Sequence, residues 1–230
     1  MQAHLIAPPE LIPLVAARLV LKPPSSNFCL HPLKAQLPPI KPDDLILLIQ
    51  SPLAEQLAQL QQQSPYVIDL TLIPSPLAPS HGFITLASGS KDSLTVACEL
   101  INCLAPIENG WLHIGDLGAC CFLQQLWHAL ITPQGTPPFL NWATTTEQLN
   151  TAQAIKPSDL IAQLATFMAQ QQLQTQALAS LARHYLATHP EKMQFMPHHP
   201  QSSALFNLIP SEQSSNDAPI VQLAKLLAKF

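Results

Sequence analysis

Short apolar runs alternate with longer amphipathic stretches through the first half of the chain. The runs fall at His4–Ala7, Asn27–His31, Asp44–Gln50, Tyr66–Leu70, Phe83–Ala87 and Trp111–Ile114. Their shortness and apolar content predict buried strands. Between them, Glu10–Leu21, Leu53–Gln62 and Ser93–Leu104 read as helices. Strands interleaved with helices predict an α/β unit with a largely parallel sheet. The pairs Pro23-Pro24 and Pro38-Pro39 break helices and force extended connections.

The pattern changes after Gly115. Ala119–Ile131 is apolar and helical, and a Pro/Gly/Thr linker covers Thr132–Pro138. From Ser158 to Thr188, apolar residues recur at Leu160, Ile161, Leu164, Phe167, Met168, Leu178, Leu181, Tyr185 and Leu186. That spacing predicts an amphipathic helix with a Gln-rich outer face. Ser158 serves as its N-cap and His189-Pro190 stops it. Ile220–Lys229 closes the chain as a short helix. The expected organisation is an α/β domain over residues 1–114 and a smaller all-helical domain over 115–230, which begins with the interdomain helix.

Composition narrows the partners. Only 10% of the 230 residues are charged, and the net charge of -4 is spread without runs. A nucleic acid or an anionic membrane is not the expected partner. No apolar run reaches the ~18 residues that span a bilayer. There is no basic n-region with an apolar h-region behind it, so the expected address is cytoplasmic. Cys29, Cys98, Cys103, Cys120 and Cys121 make an odd count, which suggests reduced thiols acting as small buried hydrophobes. Met193, Met196, His198 and His199 form a soft-ligand cluster without a second ligand set, and no metal site is expected there. No Gly-x-Ser-x-Gly, His-Glu-x-x-His or Cys-x-x-Cys pattern occurs.

The first strand runs directly into Pro8-Pro9-Glu10 and then a helix. A dinucleotide-binding fold keeps its glycine loop at such a junction. Here the junction has no glycine. Proline and an acid are also a good helix start, and that plain reading accounts for the residues by itself.

Further along, Tyr66–Gly89 reads YVIDLTLIPSPLAPSHGFITLASG, and Trp111–Leu130 reads WLHIGDLGACCFLQQLWHAL. This order resembles the β-hydroxyacid dehydrogenase family, which includes 3-hydroxyisobutyrate dehydrogenase and is related to 6-phosphogluconate dehydrogenase. Asp69 falls on the Asp of that family's D-A-P-V-S-G-G segment. Gly82 and Gly89 fall on the glycines flanking its next strand, and Gly115 and Gly118 on its G-x-x-G pair. The opening HLIAPPELIPLVAARL and the segment DDLILLIQSP also resemble the family's first strand-loop-helix and its D-V-V-I-x-M-L-P. The resemblance covers about the first 130 residues. Relative to it, one βα unit is missing before Tyr66. It implies an abbreviated Rossmann-like NAD(P)-binding domain followed by a smaller all-helical C-terminal domain.

Aligned with the family, the chemical positions differ. Its glycine-loop positions fall on Ala7, Pro9 and Ile12, and its substrate-binding serine on Ile73. The next two glycines fall on Pro74 and Ser75. Its catalytic Lys falls on Gln124, which has no proton to give or take. Its Asn pair falls on Trp127 and His128. A ribose-binding acid is expected near Leu30-His31-Pro32 and is not there. The resemblance thus implies a pseudoenzyme that binds a small ligand or a protein partner, with no dinucleotide cofactor expected. Ser75, Gln124, Trp127 and His128 are its candidate cleft residues, and His128 is the titratable group among them. The alternative is an NAD(P)-dependent oxidoreductase of the 3-hydroxyisobutyrate dehydrogenase type with a rebuilt site, using NAD or NADP. Related imine-reducing enzymes also replace the Lys, so Gln124 alone leaves reduction open. The family further implies a homodimer through the C-terminal helices.

Overall fold

The structure is a computed structural model, and it describes residues 1–33, 40–50, 54–131, 157–189 and 217–230. The linker Thr132–Pro138 and the Met193–His199 cluster lie outside the described residues.

All six expected strands form: β1 (Ala3–Ala7), β2 (Phe28–Pro32), β3 (Leu45–Ile49), β4 (Val67–Ile73), β5 (Ile84–Gly89) and β6 (Trp111–Gly115). They make one sheet in the order β2-β1-β3-β4-β5-β6. Every neighbouring pair is parallel except β4–β5. That pair is joined by a short connection holding the four-residue helix α3 (Ala78–His81), too short for a crossover. The chain leaves β1 to one side for β2 and to the other for β3, which is the Rossmann-like arrangement.

Alternation along each strand splits the core into two layers. Ala3, Leu5 and Ala7 pack with Leu11, Val15 and Leu19 at helix α1 (Ile12–Leu21), and with Leu94, Leu100 and Leu104 of α4 (Lys91–Leu104). Ile6, Ile46, Leu48 and Val67 face the other layer, with Leu57 and Leu60 of α2 (Ala54–Gln63) and Cys121 of α5 (Ala119–Ile131). Burial on both faces is why β3 reads as the unbroken run LILLI. Cys103, Cys120 and Cys121 are buried, and all five cysteines are free thiols.

Helix α1 begins at Ile12, two residues later than the sequence suggests. The Leu11 N–H closes a turn onto the Pro8 carbonyl at 3.0 Å. Pro13 then occupies the first helical turn, where a missing N–H costs no helical bond. The reading of Glu10 as a first-turn acid is corrected: Glu10 lies in the turn, exposed, ahead of the helix.

Arg18 on α1 is buried, and its guanidinium faces carbonyls only. Nε donates to Cys103 O at 2.8 Å, Nη1 to Ser80 O at 3.0 Å and Nη2 to Ala105 O at 2.9 Å. Two of these carbonyls sit at the C-terminal end of α4, where a cation is favoured by the helix dipole.

The chain divides into two compact units. The first holds Met1–Gln125 with the described part of Pro190–Leu223, and the second holds Leu126–His189 with Ala224–Phe230. The second is built on α6 (Pro157–Thr188) and the end of α7 (Pro219–Leu227). Within it, Gln174 Nε2 donates to Ala129 O at 2.9 Å and Arg183 Nε to Ala228 O at 3.3 Å. Leu178, Ala179, Ala182 and Tyr185 of α6 are buried, whereas Ile161, Leu164, Met168 and Leu173 are exposed. Among the described residues no helix is long and apolar enough to cross a membrane.

Candidate ligand cleft

In an open parallel sheet, ligands bind outside the carboxyl ends of the strands where the strand order reverses. Here that point lies between β1 and β3. Four strand ends surround it. β1 ends in Ala7, followed by buried Pro8 and exposed Pro9 and Glu10. β2 ends in Pro32, and the Leu33 N–H next to it donates to Ala7 O at 2.7 Å. β3 gives way to Gln50, a non-glycine residue with φ 53°. Its N–H bonds Leu70 O at 2.8 Å and its side-chain amide bonds Leu72 O, which fixes this strained residue against β4. β4 runs on to Ile73 and then Pro74-Ser75.

A pyrophosphate at this point needs backbone N–H groups and a helix N-terminus. Pro8, Pro9 and Pro13 supply none. The Leu11 N–H is spent on Pro8 O, and Leu11 at the N-cap makes no side-chain cap bond. The exposed Glu10 adds negative charge where phosphates would bring more. At the β2 end, His31 takes another role: its Nε2 lies 3.1 Å from His4 Nδ1.

The second helix terminus at this edge is closed by side chains. Asp69 on β4 is buried and reaches the start of α5. Its Oδ1 accepts the Gly118 N–H at 3.1 Å and the Ser88 hydroxyl, and its Oδ2 accepts the Cys121 N–H at 2.9 Å. Ser88 Oγ accepts the Cys120 N–H at 3.1 Å, and Asp116 O accepts that of Ala119 at 3.0 Å. The N–H groups from Gly118 to Cys121 are therefore all paired. Burial pushes the Asp69 carboxyl up to about 6, against the pull of the Ser88, Gly118 and Cys121 donors. The family resemblance marked Asp69, Gly115 and Gly118; the structure gives them a shared architectural task. A Cβ on Gly115 would meet Ile220 Cγ2 at 2.8 Å.

The candidate cleft residues fall as follows. Ser75 is exposed on the loop after β4, and its Oγ accepts the Leu77 N–H at 3.2 Å. Gln124 is half-buried on α5, with Oε1 buried and without a hydrogen-bond partner among the described residues. Trp127, 62% exposed, and His128, also exposed, lie one turn further along α5. No hydrogen bond joins Ser75 to Gln124 among the described residues. A cavity of about 490 Å³ opens at the opposite edge of the sheet, lined by Gln2, Asn27, Phe28, Lys41, Asp43 and Asp44. Sequence reading passed over this edge, though a His at the start of one strand and an Asp before another were a visible signal.

No protein-family model matches the chain. No curated protein matches it either. Among solved structures it is similar to an imine reductase variant from Myxococcus stipitatus in complex with NAD+. The identity is 14%, with 80% of this chain and 76% of that one covered, at a TM-score of 0.39. An imine reductase from Pseudomonas sp. is 11% identical, with 78% and 76% covered and a TM-score of 0.39. A conserved protein of unknown function, described as structurally similar to 3-hydroxyacid dehydrogenases, is 12% identical over 100% and 97% of the two chains, at a TM-score of 0.33.

Proposed function

We propose that this chain is a non-catalytic Rossmann-like protein that binds a small ligand or a protein partner rather than a dinucleotide in the usual pose. The observation that carries the reading is the β1–α1 junction, where Pro8, Pro9 and Pro13 remove N–H donors and Glu10 adds a charge of the wrong sign. The missing acid at the end of β2 supports it, as does Gln124 in place of a titratable group. Exposed Ile161, Leu164, Met168 and Leu173 on α6 support a homodimer through the C-terminal helices.

The test is a melting-temperature titration with NADH and NADPH. A ligand at 100 times its Kd adds ~2.7 kcal/mol of stability, so a cofactor would register plainly. The proposal expects no shift with either at millimolar concentration. A saturable shift would overturn the proposal and favour the alternative, an NAD(P)-dependent oxidoreductase with a rebuilt site.

A further inference from the structure

The cavity of about 490 Å³ opens at the amino-terminal edge of the sheet. Gln2, Asn27 and Asp44, the residues just before β1, β2 and β3, line it together with Phe28, Lys41 and Asp43. One wall is a turn. The Asp44 N–H donates to Lys41 O at 3.0 Å, which closes Lys41–Asp44 with Pro42 at the second position. Proline presets the backbone angle that this position requires. Asp44 fastens the turn from inside. Its Oδ2 accepts the Lys41 N–H at 2.9 Å and lies 3.3 Å from His4 Nε2, and its Oδ1 accepts the Gln2 N–H at 2.9 Å. Its backbone carbonyl accepts the Ser64 hydroxyl at 2.6 Å.

This anchoring gives the two neighbouring acids different roles. Asp44 is buried, and its carboxylate is already met by three nitrogens. Asp43 is exposed at the cavity, and its side chain makes no hydrogen bond or ion pair among the described residues. The same holds for the Lys41 ammonium and the Asn27 side-chain amide. Lys41 and Asp43 carry opposite charges on one turn, yet the one ion pair among the described residues is His4–Asp44. The turn therefore brings a cation and an anion to the cavity without letting them neutralise one another.

The free groups define the ligand. A lone anion would gain Lys41 but meet Asp43, and a lone cation would gain Asp43 but meet Lys41. A phosphate ester brings charge of the sign that both acids oppose. A divalent metal needs several oxygen or nitrogen ligands, and no group of three His, Cys, Asp or Glu among the described residues could hold one. A molecule with both an ammonium and a carboxylate answers each free group, and the Asn27 amide can accept from the first or donate to the second. Half-buried Phe28 adds an apolar wall. The volume falls within the roughly 300–1,000 Å³ of small-ligand pockets. We propose that this cavity binds a small zwitterion of the amino-acid type, with Asp43 holding its ammonium and Lys41 its carboxylate. The turn is set before the ligand arrives, so little order is lost on binding. The cavity lies at the other end of the strands from the β1–β3 crevice, so a dinucleotide bound or absent there does not bear on it.

Amide chemical-shift titration of the full chain tests the site. The probes are the free L-α-amino acids, added singly, and glycylglycine, whose charges stand further apart. At least one should bind saturably at millimolar concentration or below, with shifts centred on Asn27, Phe28, Lys41, Asp43 and Asp44 and none at Ala7 or Gln50. The matching amine without the carboxylate, and the matching acid without the ammonium, should each bind at least about tenfold more weakly. Lys41→Gln and Asp43→Asn should weaken binding equally, with the melting temperature unchanged because both side chains are exposed. No saturable shift with any probe, shifts centred on the crevice, single-charge analogues that bind as well, or variants that bind as the wild type does would each overturn the proposal.

Discussion

Asp69 on β4 accepts the Cys121 backbone N–H at 2.9 Å, across 52 residues of chain. With Ser88, whose hydroxyl oxygen accepts the Cys120 N–H, it caps the start of α5 from the sheet. Asp69→Ala would leave the Gly118 and Cys121 N–H groups and the Ser88 hydroxyl buried without an acceptor. The expected cost is roughly 2–5 kcal/mol, read from urea unfolding.

The same carboxyl imposes a pH dependence of definite sign. Its value rises from 3.8 to about 6 on folding, so the folded state holds the proton longer. Its favourable contribution is complete below pH 3.8 and is lost as pH rises through about 6. The 2.2-unit difference, 6 minus 3.8, amounts to roughly 3 kcal/mol. Asp69→Asn should remove that slope. Unfolding free energies of both proteins across this range check it, and parallel curves would refute the assignment.

Arg18 donates to three carbonyls on two other elements and the residue after α4. Arg18→Lys keeps the charge but cannot reproduce the planar fork. We expect a loss of roughly 1–3 kcal/mol in denaturant unfolding, with the slope unchanged.

Gly82 sits at φ +88°, where a Cβ would come within 2.6 Å of the Ala105 backbone. Those atoms belong to the chain just after α4 and cannot yield as a flexible side chain would. Gly82→Ala should cost roughly 2–4 kcal/mol, visible as a lowered melting temperature.

The strand and helix elements were legible because both faces of the central strands are buried, as LILLI shows at β3. The α1 start was misplaced because Pro9-Glu10 and Pro13 both satisfy first-turn chemistry, and only the Leu11–Pro8 turn decides between them. The four residues of α3 carry no helical period to detect. Asp69 stood out in the sequence through resemblance, but its task depends on contacts to Gly118 and Cys121 that no local pattern encodes. His4 and Asp44 stand out as single residues near strand starts, but their contact spans 40 residues and no local pattern pairs them.

The exposed α6 residues make the oligomeric state a sharp test. Sedimentation velocity should find a dimer at micromolar concentration. Met168→Glu, which places a charge on that face, should shift it to monomer with helix content unchanged by circular dichroism. A monomeric wild type would contradict the proposed interface.

The claim on which the rest depends is that the proline-bearing β1–α1 junction does not cradle a pyrophosphate. Calorimetric titration of NADH and NADPH into the full chain addresses it most directly. The account predicts no saturable heat with either cofactor up to millimolar concentration. A saturable isotherm of one cofactor per chain, abolished by bulky substitution at Pro9, would contradict it.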